Sequence, residues 1–418
     1  MNKLWFAVGL LAFLTVLVVI VLIPVVHNPP EPEYHGRKLT AWLDDLDAAS
    51  RLTQTNAALA ICQMGTNAVP FLVQMLRTKD SNFKRRSIEL LQRQHWVDLH
   101  TRFGFQNHSA ALRALAILGP DAKAAVPDVA AELETAGGQM AAYTLYRIGS
   151  NGIPALQTAL TSTNEWARRH AAMWLTATGQ PSSVTNLLAA LKFPDRFTRS
   201  TVAMALRRFP GQANIIVPAL TNYLDDPDYV LAGNVARTLG SFGASARPAF
   251  PGLLKMVGSS DYHASEAATL ALMKIDFEET LAALTNNLES SDVNIRKTSA
   301  RALTQFESAG EPAVPLLVKC LKDPDAEVRQ NAAVALREIG ADPDLVVPAL
   351  TGALNDSNSD VRLVSAIALG SFGERAKPAV PQILKIIEEH KGDELSVQGL
   401  YDALSQIDPE AAARLSGK

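Results

Sequence analysis

The chain has 418 residues, with 42 acidic and 39 basic side chains and a formal net charge of −3. That balance argues against a general nucleic-acid binder, because binding dominated by phosphate neutralisation needs a concentrated surplus of Lys and Arg. Two cysteines, Cys62 and Cys320, cannot assemble a disulfide framework or a thiolate metal site, and the chain holds no GxxxxGK[ST], GxSxG or HExxH motif.

At the N-terminus, Leu4 to Val26 contains 20 apolar residues out of 23, and no formal charge lies between Lys3 and Glu31. As a helix this stretch is about 34 Å long against a hydrocarbon core of about 30 Å, so residues 1–27 read as a tilted transmembrane anchor. A cleaved signal peptide is the alternative, although its apolar region usually runs only about 7–15 residues and the exit from Ile23 to Asn28 has no Ala-x-Ala pattern. Lys3 before the span and Glu31 and Glu33 after it favour a body on the extracytoplasmic side. Pro29, Pro30 and Pro32 give residues 28–37 the composition of an extended, semi-rigid linker. From Tyr34 to Leu43 the sequence reads as an N-terminal cap, with a helix starting at or beside Thr40 and with Trp42 and Leu43 covering the first repeat.

A repeat follows. Pro218 and Pro251, then Pro315, Pro348 and Pro381, are 33 residues apart, with 64 across the unit lacking one; Pro70, Pro127 and Pro154 continue the series at altered spacing. Each suits the first turn of a helix, where the missing N–H has no intrahelical partner. Apolar residues then recur at steps of three and four through two amphipathic helices per unit, for example Val347 to Leu354 and Asp360 to Leu369. Alanines such as Ala332, Ala333 and Ala335 leave room for close helix packing. The units close at Gly65, Gly119, Gly149, Gly179, Pro210, Gly243, Asp276, Glu307, Gly340, Gly373 and Asp408, where glycine can take the left-handed conformation that ends a helix. These positions predict an all-α α-solenoid of about eleven helix pairs over residues 38–408, stabilised by stacking on neighbours, with 409–418 as a tail.

The stretch Asp323 to Gly340, echoed at Asp292 to Glu307 and Asp356 to Gly373, resembles HEAT repeats of the short subtype associated with phycobilisome lyases. The resemblance implies an armadillo-like fold, a right-handed α-solenoid. It also implies that arginines at the start of the second helix, here Arg168, Arg199, Arg296, Arg329 and Arg362, join adjacent repeats in a polar ladder with a loop Asp. Gly138, Ala232 and Ser265 stand at that position in three units, so the ladder is expected to break there and leave room for local curvature or a ligand. Deoxyhypusine hydroxylases share this fold and bind iron through His-Glu pairs, and this chain has no His-Glu dipeptide.

Two features depart from the repeat. Gly65 to Gly119 is 54 residues, about 21 more than an ordinary unit, and the excess near 94–108 carries His95, Trp96, His100, Arg102 and His108. It reads as a packed inserted loop or helix, as a protein-contact loop, or as a zinc or iron site formed by the three histidines with Asp98. In the middle units Trp166 and Phe197 occupy positions held by acids later in the chain, with Tyr229 and Tyr262 one position earlier, near Arg169, His170 and His263. They are either packed between repeats or form an aromatic binding stripe. Trp174 reads as core, and both cysteines read as buried small hydrophobes. The expectation is a membrane-anchored scaffold that binds a protein partner on its solenoid surface, without nucleic acid, cofactor, metal or catalysis of its own. The alternatives are a lyase-like or metal-dependent enzyme and a secreted soluble binding module.

Overall fold

Two local devices start the helices. A Val-Pro, Ile-Pro or Phe-Pro dipeptide opens many first helices, and an Asp or Asn side chain caps the second helices by accepting backbone N–H groups, as Asp325 does from Glu327 and Val328. The computed structural model describes residues 29–78, 104–389 and 394–416, so the N-terminal apolar stretch lies outside the described residues. The helices fall into two units, divided between Ala205 and Leu206.

The first unit begins with a hairpin of β1 (Glu33–Tyr34) and β2 (Arg37–Lys38), turned by His35 and Gly36 at φ 50° and 72°. It continues with α1 (Leu39–Asp45), α2 (Arg51–Met64), α3 (Val69–Arg77), α4 (Gly104–Leu118), α5 (Val126–Ala131), α6 (Gly138–Ile148), α7 (Ile153–Ala159), α8 (Glu165–Thr178), α9 (Val184–Ala190) and α10 (Arg196–Ala205). The hairpin corrects the extended linker expected up to residue 37. Pro32 accepts the Leu39 N–H, Glu31 accepts the Thr40 N–H at 2.8 Å, and Arg37 pairs with Asp45 at 2.6 Å while lying 4.4 Å from the Trp42 ring. These contacts fasten the segment to α1, whose Leu39 and Leu43 are fully buried.

The second unit contains α11 (Ala213–Thr221), α12 (Tyr229–Ser241), α13 (Phe250–Val257), α14 (Tyr262–Ile275), α15 (Phe277–Asn287), α16 (Val293–Leu303), α17 (Val314–Cys320), α18 (Ala326–Ile339), α19 (Pro343–Ala353), α20 (Ser359–Gly370), α21 (Val380–Glu389), α22 (Glu394–Ile407) and α23 (Pro409–Ser416). The expected tail is therefore helical, and α23 packs on α22 with Ala411 buried. Pro218 and Pro348 also differ from expectation. They sit inside α11 and α19, because each helix starts five residues earlier, and Pro343 takes the first-turn position of α19.

Within each unit the even-numbered helices stack on one another in one row and the odd-numbered helices form the other. Leucines fill the space between the rows, among them Leu112, Leu145 and Leu175 in the first unit and Leu239, Leu272 and Leu336 in the second. A single pair cannot bury both its apolar faces, so each depends on its neighbours. Ala332, Ala333 and Ala335 are fully buried where α18 meets adjacent helices. The closing glycines adopt positive φ as expected, and Glu307 fills the same role at φ 48°. Among the described residues one helical run, Arg51–Arg77, has the length and composition of a membrane span. It is the α2–α3 pair, broken at Gly65 with φ 55°, and its apolar side faces the core through Ile61 and Leu72.

Candidate protein-binding surface

On α8 and α10 two aromatic side chains are placed by their helix caps. Asn164 accepts the Trp166 N–H at 2.9 Å and Asp195 accepts the Phe197 N–H at 3.1 Å, so each ring occupies the second position of its helix. The next residues, Ala167 and Thr198, turn into the core, and this register sends the rings outward, with Trp166 57% and Phe197 52% exposed. Packing between repeats would have buried them. The Arg169 guanidinium lies 4.5 Å from the centroids of both rings, and Arg196 lies 5.2 Å from Phe197. Glu165 approaches Arg169 at 3.5 Å. His170 sits 6.1 Å from Trp166, and burial, followed by the charge of Arg169, pushes its imidazole below the ordinary range.

The surface is larger than the sequence reading made it. Met173 and Met204, seven residues after Trp166 and Phe197, are exposed on the same helix faces. Trp174 is half-buried rather than core; it stacks on Tyr146 and meets Tyr143, each at 4.9 Å. Beyond Tyr143 a groove of about 560 Å³ is lined by His108, Leu112, Glu132, Met140 and Trp174. The step of seven on α8 and α10 was the available signal. The Tyr143–Tyr146–Trp174 cluster needed the pairing of α6 with α8, which spacing alone does not reveal.

In the second unit Tyr229 opens α12 and Tyr262 opens α14, 48% and 51% exposed. His263 meets the Tyr262 ring edge-on at 5.6 Å, and the Arg301 guanidinium lies 5.3 Å from that ring.

The arginine ladder has a constant step. Arg168, Arg296, Arg329 and Arg362 each reach a carboxylate 27 residues later, namely Asp195, Asp323 and Asp356 in the following loop and Glu389 at the end of α21. Each also donates through Nη1 to two carbonyls of its own loop, as Arg296 does to Ser290 and Ser291 at 2.9 and 3.2 Å. Arg296 and Arg329 make two-pronged pairs, whereas Arg168 makes a single contact of 3.4 Å and stacks 5.0 Å from the Phe193 ring. Arg199 holds the equivalent place on α10.

Where arginine is missing, tight packing replaces the expected room for a ligand. A Cβ on Gly138 would meet the Leu133 carbonyl oxygen at 2.6 Å, and Ala232 and Ser265 are buried. Ser265 donates to the Val257 carbonyl at 2.7 Å and accepts from Arg301 at 3.0 Å, while Gly240 brings α12 so close to α14 that an added Cβ would sit 2.7 Å from the Ala271 Cα.

His95, Trp96, Asp98, His100 and Arg102 lie outside the described residues. His108 is on α4, where Nε2 is 3.1 Å from the Thr78 carbonyl and Nδ1 is 3.4 Å from Glu132. Among the described residues no group of three or more His, Cys, Asp or Glu could hold a metal ion. Of the cysteines, Cys320 is buried as expected, and Cys62 is exposed on α2.

Kap121p superposes with a TM-score of 0.58 at 13% identity, covering 89% of this chain and 49% of that one. Kap95p gives 0.53 at 13% identity, covering 91% and 62%. This chain therefore spans about half the length of Kap121p. The CpcE–CpcF complex of phycocyanin lyase from Nostoc sp. PCC7120 is 22% identical over 56% of this chain and 94% of that one, with a TM-score of 0.29. No curated protein matches the sequence. The family model for HEAT repeats matches residues 153–215, 217–304 and 281–370, just over half of the chain and a stretch that includes α8, α10 and most of the ladder. The chain belongs to the HEAT-repeat family.

Proposed function

We propose that this protein is a HEAT-repeat scaffold that holds a protein partner on the exposed face of its second helices. Residues 1–27 anchor it in a membrane, its body lies on the extracytoplasmic side, and it has no catalysis of its own. The observation that carries the binding role is the outward-facing Trp166–Arg169–Phe197 stack, because exposed aromatic and arginine side chains are the residue types that dominate interface energetics. The solved relatives of similar fold support it: Kap121p is described bound to Pho4p and to Ste12p, and Kap95p binding is described for RanGDP. Anchoring would raise the effective concentration of the scaffold for partners at the same membrane.

Affinity capture of the full chain from solubilised membranes, beside a Trp166→Ala/Arg169→Ala variant, tests the binding role. Loss of a specific protein in the variant is expected, and an unchanged partner set refutes the assignment of the surface. Alkaline extraction of membranes with N-terminal sequencing tests the anchor: recovery in the pellet with Met1 or Asn2 retained is expected, and a soluble protein starting after residue 27 refutes it.

A further inference from the structure

The α8–α10 surface carries unbalanced charge. Two guanidinium groups share the Phe197 ring, Arg169 at 4.5 Å and Arg196 at 5.2 Å. Among the described residues a single carboxylate, the half-exposed Glu165, pairs with either, at 3.5 Å from Arg169. Asp195, beside Arg196 in sequence, is engaged elsewhere: it accepts from Arg168, from the Phe197 and Thr198 N–H groups and from the Thr198 hydroxyl. Burial, followed by the charge of Arg169, also pushes the His170 imidazole below its ordinary range.

The two rings also hold Arg169 in place, each 4.5 Å from its guanidinium. A guanidinium carries its N–H donors in one plane, where they match the two oxygens of a carboxylate. Its Nε is buried without a hydrogen-bond partner among the described residues. Two turns along the same helices, Met173 and Met204 expose flexible apolar side chains that adapt to an apolar partner.

We propose that this patch is the docking site for an acidic, amphipathic segment of a partner protein. Carboxylates of that segment pair with Arg169 and Arg196, and its apolar side chains lie along Trp166, Met173 and Met204. The inference rests on the reading of this face as protein-binding and names the chemistry of what binds there.

The test uses the full chain in neutral detergent and a fluorescent synthetic helical peptide with Leu on one face and Glu on the other, beside the same peptide with Lys in place of Glu. Anisotropy should show binding of the Glu peptide and none of the Lys peptide. Raising the salt to about 0.5 M should weaken it, because ion pairing at an exposed site is screened. Arg169→Ala should weaken it at least about ten-fold with an unchanged thermal melt, and Arg169→Lys by less. Equal binding of both peptides, or full affinity in Arg169→Ala, overturns the proposal. Displacement of the Glu peptide by detergent doped with phosphatidylglycerol, and not by detergent doped with phosphatidylcholine, assigns the surplus charge to lipid headgroups and also overturns it. If Trp166→Ala/Phe197→Ala abolishes capture of the native partner while Arg169→Ala leaves it unchanged, the acidic assignment fails and the protein-binding reading stands. Unchanged capture by both variants refutes both.

Discussion

Arg329 on α18 donates two hydrogen bonds to Asp356, 27 residues further along in the next repeat's loop, at 2.7 and 2.8 Å. The same guanidinium donates to the Asp323 and Pro324 carbonyls of its own loop at 2.7 and 3.1 Å, so one side chain ties two loops together. With side-chain exposures of 12% and 11%, the pair is shielded enough for removal of one partner to strand the other. Arg329→Ala should cost about 2 kcal/mol, and Arg329→Lys, which keeps the charge without the planar fork, about half of that. Urea denaturation checks both; equal losses would show that the planar fork alone matters, and no loss in Arg329→Lys that charge alone does.

Acid should loosen the same rungs. At Asp323 and Asp356 burial pushes the carboxyl up, but the hydrogen bonds from Arg296 and Arg329, the loop N–H groups and the arginine charges outweigh it and hold both below the usual carboxylate range. A folded-state pKa below the unfolded value of about 3.9 means that the stabilisation is fully present above that value and is lost as pH falls through the folded one. Melting temperature should therefore be flat in these groups above about pH 5 and fall below about pH 4. Asp356→Asn should flatten the fall, and an unchanged acid limb in that variant would contradict the assignment.

Glu307 occupies a closing position at φ 48° and ψ −140°, a region that side-chain-bearing residues pay strain to enter. Gly65, Gly243 and Gly373 close other repeats at similar φ without that cost. Glu307→Gly should raise stability by about 1 kcal/mol, after the added flexibility of the unfolded chain is subtracted. A lower melting temperature in the variant would show that the Glu307 side chain makes a compensating contact.

Trp166 should separate binding from folding. Being 57% exposed, its truncation should change stability by no more than about 0.5 kcal/mol while weakening partner capture at least about ten-fold. Melting curves run beside quantitative capture decide it, and a large stability loss would return the ring to a structural role.

The two thiols should react very differently. Cys62 is exposed, whereas burial, followed by the charge of Asp323, pushes the Cys320 thiol up to about 11. Iodoacetamide at pH 8 should modify Cys62 rapidly in the native protein and Cys320 only after denaturation, as peptide mass mapping would show.

The helix pairs were legible because their causes are local: proline dipeptides, apolar steps of three and four and closing glycines all lie within one repeat, whereas the ladder arginines came from the likeness to HEAT repeats and their 27-residue step only from the structure. The register of Trp166 and Phe197 was equally visible, but whether the rings face outward depends on which flank α8 turns to its neighbours. Trp174 shows the limit, since it lies on the apolar side of its helix and still stays half-exposed between Tyr143 and Tyr146. The hairpin over residues 33–38 was missed because Pro29, Pro30 and Pro32 dominate the local composition, while the contacts that fold it back come from Asp45 and Trp42 further along.

The rungs at Arg296 and Arg329 point the same way along the chain, from a helix in one repeat to the loop of the repeat that follows. The two ends of any shortened array are therefore unlike. A break on the C-terminal side of a rung frees the Nε and Nη2 donors of the arginine, whose Nη1 stays bonded to its own loop, while a break on the N-terminal side frees the carboxylate of Asp323 or Asp356, which stays bonded to the N–H of Asp325 or Asn358. One cut end thus carries unmatched positive charge and the other unmatched negative charge, so two fragments divided at the same rung are complementary at the break.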